Sequence, residues 1–259
     1  MVLSLPAYLA AEGVRRISDS QLVEEEISIL GIDKARELFR LLGNAQRPSS
    51  ADFSAYAFQA SNGVDHLFES AKYGENLTIT EKVNRKLKGR KAILDAGCFT
   101  GLKTVWYALQ NPESTVHGID MVDESIQVAE TRKAKYSAAN ASFSVQDVLT
   151  YKPDKKYDAV VLTNIVATIT EAHNTRLSNP ESAAFLRRRV APLVSSWVMP
   201  HGMVIIYDRL SIPIFDEYRD MTQAAMLSEG FSKAGNERVH SSGINGDDIE
   251  GVFLAFQKP

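Results

Sequence analysis

The sequence predicts an α/β fold, a mostly parallel sheet ending in an antiparallel hairpin and preceded by a helical N-terminal segment. Three observations carry this. Up to about residue 90 the apolar residues recur at helical spacing. From Lys91 onward, short apolar runs alternate with helical patterns, as parallel α/β sheets require. The last two apolar runs have only Ser241–Glu250 between them, too short for a crossover helix, so they are expected to pair as a hairpin.

In the N-terminal third, Ser18 and Gln21 have capping-box spacing ahead of Leu22, Val23, Ile27 and Leu30. Ala35, Leu38, Phe39 and Leu42 repeat at i, i+3, i+4 and i+7, with Gly43 as the stop and Gly43–Ser54 as a small, polar loop. Val64, Leu67, Phe68 and Ala71 mark another helix. Thr80 is placed to cap one burying Val83 and Leu87, which Gly89 ends. The strand candidates are Ala92–Asp95, Thr115–Asp120, Ala141–Val145, Asp158–Thr163, Gly202–Tyr207, Phe231–Val239 and Gly251–Gln257. Between them, Asp123 is read as a cap, Asn179-Pro180 as the start of a helix burying Leu186, Val190, Leu193 and Trp197, and Ile214, Tyr218, Met221 and Ala225 as a third stripe.

Composition excludes several classes. The chain has 259 residues, 44% apolar and 24% charged, a balance ordinary for a globular protein of roughly one to two domains. A single cysteine permits neither an internal disulfide nor a multi-thiolate zinc site. A net charge of -3 argues against nucleic acid as a partner. Arg187-Arg188-Arg189 fans around a helix, and Lys86, Lys88, Arg90 and Lys91 suit a helix C-terminus, so neither forms a nucleic-acid patch. The longest apolar stretch, Ala159–Ile169, falls short of the ~20 residues of a membrane span. MVLSLPAYLA lacks the basic start of a signal peptide. No membrane association and a cytoplasmic location are the expectations.

The most informative stretch is Ala92-Ile-Leu-Asp-Ala-Gly-Cys-Phe-Thr-Gly-Leu-Lys-Thr104, a buried strand running into a turn with Gly97 and Gly101 and then a helix. Ligands of open α/β sheets bind at the carboxyl ends of strands, and glycines let a ligand approach the backbone. The dinucleotide spacing fails, because Phe99 and Leu102 stand where glycines are required; this favours a ligand without a pyrophosphate. Asp120, 19 positions after Gly101, closes the second strand and can accept both hydroxyls of a ribose. Asp147 closes the third strand, where it can accept an adenine amino group. Thr163 and Asn164 end the fourth.

In order and spacing, these four pieces resemble the class I S-adenosylmethionine-dependent methyltransferases. The resemblance extends over roughly residues 73–259. It includes Met199-Pro-His-Gly202, similar to that family's turn before the fifth strand, and the terminal hairpin. It implies a Rossmann-like, seven-stranded sheet and S-adenosyl-L-methionine as cofactor. Carried over by position, Asp95, Gly97, Cys98, Phe99 and Gly101 cradle the methionine end, and Asp120 with Met121 holds the ribose. Asp147 and Val148 sit at the adenine, while Thr163 and Asn164 line the methyl-transfer face. Phe99 departs from the family's middle glycine, so the turn is bulkier or the ring packs beside the ligand. Cys98 reads as a small buried residue and not a nucleophile. The Asn-Pro-Pro-aromatic signature of base and amide N-methyltransferases is absent, since Ile165-Val166 follow Asn164.

The resemblance implies methyl transfer to the oxygen or nitrogen of a small-molecule acceptor. Residues 80–259 form the catalytic domain. Residues 1–79 form a helical lid or a dimerisation element, the latter giving a homodimer. Aminopropyl transfer on the same fold and a catalytically silent cofactor binder are the alternatives. Candidate bases are His173, Asp208, His66 and Tyr73. No metal is expected, because Asp208 faces only Thr163 and Asn164 at the end of the fourth strand.

Overall fold

The computed structural model describes residues 3–45, 53–173, 180–210, 214–246 and 248–259, and only the backbone of 44, 45 and 171–173. Six helices come first: α1 (Leu5–Ala11), α2 (Asp19–Leu30), α3 (Ile32–Ala45), α4 (Ser54–Ser61), α5 (Asp65–Ser70) and α6 (Tyr73–Leu87). Then β1 (Ala92–Ala96), α7 (Leu102–Gln110), β2 (Thr115–Asp120), α8 (Asp123–Tyr136), β3 (Ala141–Val145) and β4 (Tyr157–Thr163) alternate. Next come α9 (Val166–His173), α10 (Pro180–Phe185), a π-helical turn (Leu186–Val190) and α11 (Ala191–Trp197). The chain closes with β5 (Val198–Arg209), α12 (Phe215–Ser228), β6 (Ser232–Ser242) and β7 (Asp248–Gln257).

The sheet runs β3-β2-β1-β4-β5-β7-β6. Strands β1 to β5 are parallel, whereas β7 is antiparallel to both β5 and β6, as the hairpin reading requires. The chain builds outward from β1 to β3 and then returns to lay β4 on the other side of β1. The strand order therefore reverses between β1 and β4, where a binding crevice is expected.

Both faces of the central strands are covered, which explains their nearly continuous apolar runs. Leu94, Val160, Leu162, Val204 and Ile206 pack with Leu186, Val190, Trp197 and Tyr218. On the other face, Ile93, Ala159, Val161 and Ile205 pack with Val105, Ile79, Val83 and Leu87. Helix α1 joins this second layer: Leu5, Tyr8 and Leu9 are buried in it, and the Tyr8 hydroxyl donates to Leu102 O at 2.8 Å. Each fully buried Leu contributes about 1.5–3 kcal/mol, so α1 is part of the core and not an appendage.

Arg132, on α8, fastens the N-terminal helices further. It pairs with Glu12 at 2.5 Å and with Asp65 at 3.2 Å, and it donates to Thr100 O in the turn after β1. Lys135 and Tyr136 also reach Glu12, at 2.6 and 2.7 Å.

The capping box at Ser18 and Gln21 forms as read, and Gly89 takes a positive φ just beyond α6. Other local readings are corrected. Gly43 lies inside α3, which runs on to Ala45, because an isolated glycine weakens a helix without ending it. Phe39 is largely exposed. Thr80 sits buried in the middle of α6, which starts at Tyr73 and spans residues 79 and 80. Val122, not Asp123, occupies the cap position of α8, because Asp120 already accepts the Val122 N–H. Met199–Gly202 lies within β5 as a bulge, with the register moving from Tyr157↔Val198 to Ala159↔Met203 and His201 at φ 61°. Asn179 lies outside the described residues. Among the described residues no helix is long and apolar enough to cross a membrane.

Candidate active site

The carboxyl ends of β1, β2 and β4, with the segment after β3, open on one crevice of about 1020 Å³, mouth included. Asp95, Gly97, Cys98 and Phe99 enter it from the β1–α7 turn, Asp120 and Met121 from the end of β2, Asp147 and Val148 from beyond β3, and Thr163 and Asn164 from β4. All the cofactor positions read from the sequence meet here except Gly101.

Gly101 serves packing instead. At φ 69° it is the cap residue of α7, and a Cβ there would lie 2.7 Å from Ala129 Cβ and 2.9 Å from the Phe143 ring. Gly97, at φ 77°, is equally confined, since its Cβ would lie 2.0 Å from Ile165 Cδ1. The intervening Phe99 adopts φ 50°, a left-handed conformation that costs a side-chain-bearing residue about 1–2 kcal/mol. Two contacts hold it there. Its N–H donates to Asp120 Oδ2 at 2.8 Å, and its ring packs edge-on with Tyr56 and Phe68, both centroids at 5.5 Å.

Those two rings belong to the N-terminal helices, which roof the crevice with Phe53, Tyr56, Phe68, Glu69 and Lys72. The sequence offered no signal for this beyond apolar helical spacing, and Glu69 and Lys72 fall outside any motif. Glu69 is buried, accepts from Asn76 Nδ2 at 2.8 Å and pairs with Lys103 at 3.7 Å. Burial pushes its pKa up, but the Lys103 and Lys72 ammoniums and the Asn76 bond outweigh this and hold it at about 2. Lys72 lies with its ammonium 3.4 Å above the Phe68 ring. Burial pulls its pKa down to about 8 despite nearby Glu69. Burial raises Asp95 to about 6, against the Thr104 hydroxyl at 2.5 Å and Lys103. Burial also raises Asp120, opposed by the N–H groups of Val122 and Phe99.

At the fourth strand Asn164 is pinned on both sides. Its Nδ2 donates to Glu75 Oε1 at 2.7 Å, and its Oδ1 accepts from Arg209 N at 2.8 Å. Thr163 Oγ1 is buried in the same wall with no partner among the described residues.

Asp208, His66 and Tyr73 lie outside the crevice lining. Asp208 is a buried strut at 0% exposure: its carboxylate accepts from the Tyr218 hydroxyl at 2.6 Å and from Ala167 N at 3.1 Å, tying α12 and α9 to β5. His66 packs beside Gly13. Tyr73 opens α6 and borders a smaller pocket with Arg16, Gly74 and Ser242. His173 ends α9, and its side chain lies outside those described. Among the described residues the one group of three convergent metal-type ligands is His240, Asp248 and Glu250, on the β6–β7 hairpin and apart from the crevice lining.

Residues 87–187 match the family model of a methyltransferase domain. That segment is a methyltransferase domain, and the seven-stranded sheet around it has the fold of the class I S-adenosylmethionine-dependent methyltransferases. Over 173 residues, 65% of the chain, it is 26% identical to a malonyl-(acyl-carrier protein) O-methyltransferase of Halalkalibacterium halodurans, and it spans 57% of that relative's length. The methyltransferase fold is shared with an O-methyltransferase family protein from Burkholderia thailandensis: TM-score 0.58, 11% identity, 92% of this chain and 71% of that one. It is shared too with the N-methyltransferase NodS from Bradyrhizobium japonicum WM9 in complex with S-adenosyl-L-homocysteine: TM-score 0.53, 14% identity, 88% of this chain and all of that one.

Proposed function

We propose that the protein binds S-adenosyl-L-methionine in this crevice and transfers its methyl group to an oxygen or nitrogen of a small-molecule acceptor. The observation that carries the reading is the convergence of Asp95, Asp120 and Asp147 from three successive strands at the point where strand order reverses.

The residues present fit the cofactor. Asp120 accepts Phe99 N on one carboxylate oxygen and Val122 N on the other, with Met121 N also bonded to it, and its lone-pair sites, about four in all, leave capacity for a ribose hydroxyl. Asp95 and the turn at Gly97 hold the methionine end, and Asp147 with Val148 borders the adenine. Thr163 Oγ1, without a partner among the described residues, is a ready hydrogen-bonding group on the transfer face. The bound cofactor supplies a methyl group already activated by its sulfonium charge. What remains for the protein is positioning and exclusion of water, and the aromatic roof of Phe53, Tyr56 and Phe68 provides both.

In this proposal residues 80–259 make up the transfer domain and residues 1–79 the covering segment, in which residues 53–72 form the lid and α1 joins the core, with α6 continuous across the two, and the setting is cytoplasmic. An acyl acceptor tethered to a carrier protein is the second reading, favoured by the name of the Halalkalibacterium relative.

Calorimetry with S-adenosylmethionine, S-adenosylhomocysteine and NAD tests the first step. Micromolar binding of the first two with no NAD binding is the expected result. Stabilisation by NAD alone overturns the reading. A methyl-transfer screen over phenols, amines, carboxylic acids and acyl-carrier thioesters tests the second step and separates an enzyme from a silent binder.

A further inference from the structure

We propose that the acceptor presents an anionic oxygen, a carboxylate or a phenolate on an apolar body, and that Lys72 receives it. The inference rests on the methyltransferase reading above and adds the chemical class of the acceptor.

Lys72 lies between α5 and α6, on the crevice wall formed by the N-terminal helices. Its ammonium sits over the Phe68 ring and has neither a hydrogen-bond nor an ion-pair partner among the described residues. The other lining lysine differs: Lys103 already pairs with Glu69. Of the two acids that face Lys72, Glu69 is shared with Lys103 and Asn76, and Glu75 gives Oε1 to Asn164 while its Oε2 has no hydrogen-bond partner among the described residues. Lys103 and Arg209 add positive charge near Lys72, although Lys103 also faces Asp95. A half-buried ammonium in this position gains from an incoming anion, because ion pairs strengthen as water is excluded. It repels an acceptor that arrives as an ammonium ion.

The surroundings suit the rest of such a molecule. Phe53, Tyr56, Phe68, Ile165 and Ile169 give the crevice an apolar wall beside Lys72.

An anionic oxygen also accounts for the chemistry without a base. A lone pair on the acceptor oxygen forms the new O–CH₃ bond, and the electron pair of the S–CH₃ bond returns to sulfur. Anion and sulfonium become a neutral ester or ether and a thioether, and no proton moves. Asp208, His66 and Tyr73, all outside the crevice lining, are then not needed for deprotonation.

The test measures binding of three probes, phenylacetate, 4-nitrophenolate and phenethylamine, to the full chain saturated with S-adenosylhomocysteine. At least one anion is expected to bind tenfold or more tightly than the amine, and which one it is identifies the acceptor as acid or phenol. Lys72→Met should erase the preference, Lys72→Arg should keep it, and S-adenosylhomocysteine affinity should fall by less than the anion affinity. A wild-type protein without a tenfold anion preference overturns the proposal, whether or not the variants fold. So does a Lys72→Met variant whose S-adenosylhomocysteine affinity falls as much as its anion affinity, since Lys72 then holds the cofactor's own carboxylate. Failure of the wild-type chain to bind S-adenosylhomocysteine at all is a separate result and removes the methyltransferase reading itself.

Discussion

Asp120 Oδ2 accepts the backbone N–H of Phe99 at 2.8 Å, which ties the acid that ends β2 to the turn that follows β1. Its other oxygen accepts Val122 N–H at 3.0 Å and so also sets the start of α8. The side chain proposed to hold the ribose therefore builds the crevice as well. Hydrogen bonds to a charged group are worth about 1.5–3 kcal/mol. Asp120→Ala should lower S-adenosylhomocysteine affinity at least tenfold and also lower Tm by several degrees. Calorimetry and a thermal melt read the two effects separately, and wild-type affinity in a folded variant removes Asp120 from the site.

The Phe99 ring couples the turn to the roof. Phe99→Gly relieves a left-handed backbone but removes two edge-on aromatic contacts, each worth about 0.5–1.5 kcal/mol beyond burial. Helices α4 and α5 should exchange amide hydrogen faster in this variant while β1 and β4 stay protected. Unchanged exchange in α4 and α5 would show that the roof is held by other contacts.

Arg132→Met leaves Asp65 buried without its cation and Glu12 with Lys135 alone, a loss of about 3–5 kcal/mol for a buried pair. For Glu12, burial pushes the pKa up, but Lys135 and Arg132 outweigh it and the net shift is downward. Its contribution is thus present above the unfolded carboxyl range and is lost as pH falls. The stability gap between wild type and variant, read by denaturant titration, should be widest near pH 7 and narrow below about pH 4.

Asp95 shifts the other way. Burial lifts it to about 6, so folding favours its protonated form, and that contribution fades as pH rises from the usual carboxyl range through 6. In the proposed complex Asp95 faces the cationic amino end of the cofactor, so binding requires it ionised. S-adenosylhomocysteine affinity should weaken as pH drops below about 6, by up to tenfold per unit. Asp95→Asn should bind more weakly at pH 7.5 with little change down to pH 5. A wild-type profile flat over that range would place the methionine end elsewhere.

The sheet was legible because its strands are buried on both faces. Runs such as Ala159–Leu162 are bounded by polar residues. Boundaries set by tertiary contacts were not. Thr80 has a capping side chain, yet α6 begins a full seven residues earlier because Tyr73 to Ile79 pack against the sheet and the hairpin tip. Which residues line the crevice from the strand ends was legible, apart from Gly101, whose glycine serves helix packing. A lid was expected of residues 1–79, but the side chains that form the roof were not legible. Tyr56, Phe68, Glu69 and Lys72 acquire meaning only when α4 to α6 fold over the strand ends, and no spacing in the sequence encodes that juxtaposition.

Cys98 is the chain's sole thiol, sits in the turn after β1 and is 9% exposed. Burial, with Asp95 and Asp120 nearby, pushes its pKa well above the usual range, so its reactive thiolate is scarce while the turn stays closed. The protein thus carries an intrinsic chemical clock: the rate at which an aromatic disulfide labels Cys98 reports how often the β1–α7 turn opens, and any molecule that seats in the crevice should slow it in proportion to its occupancy.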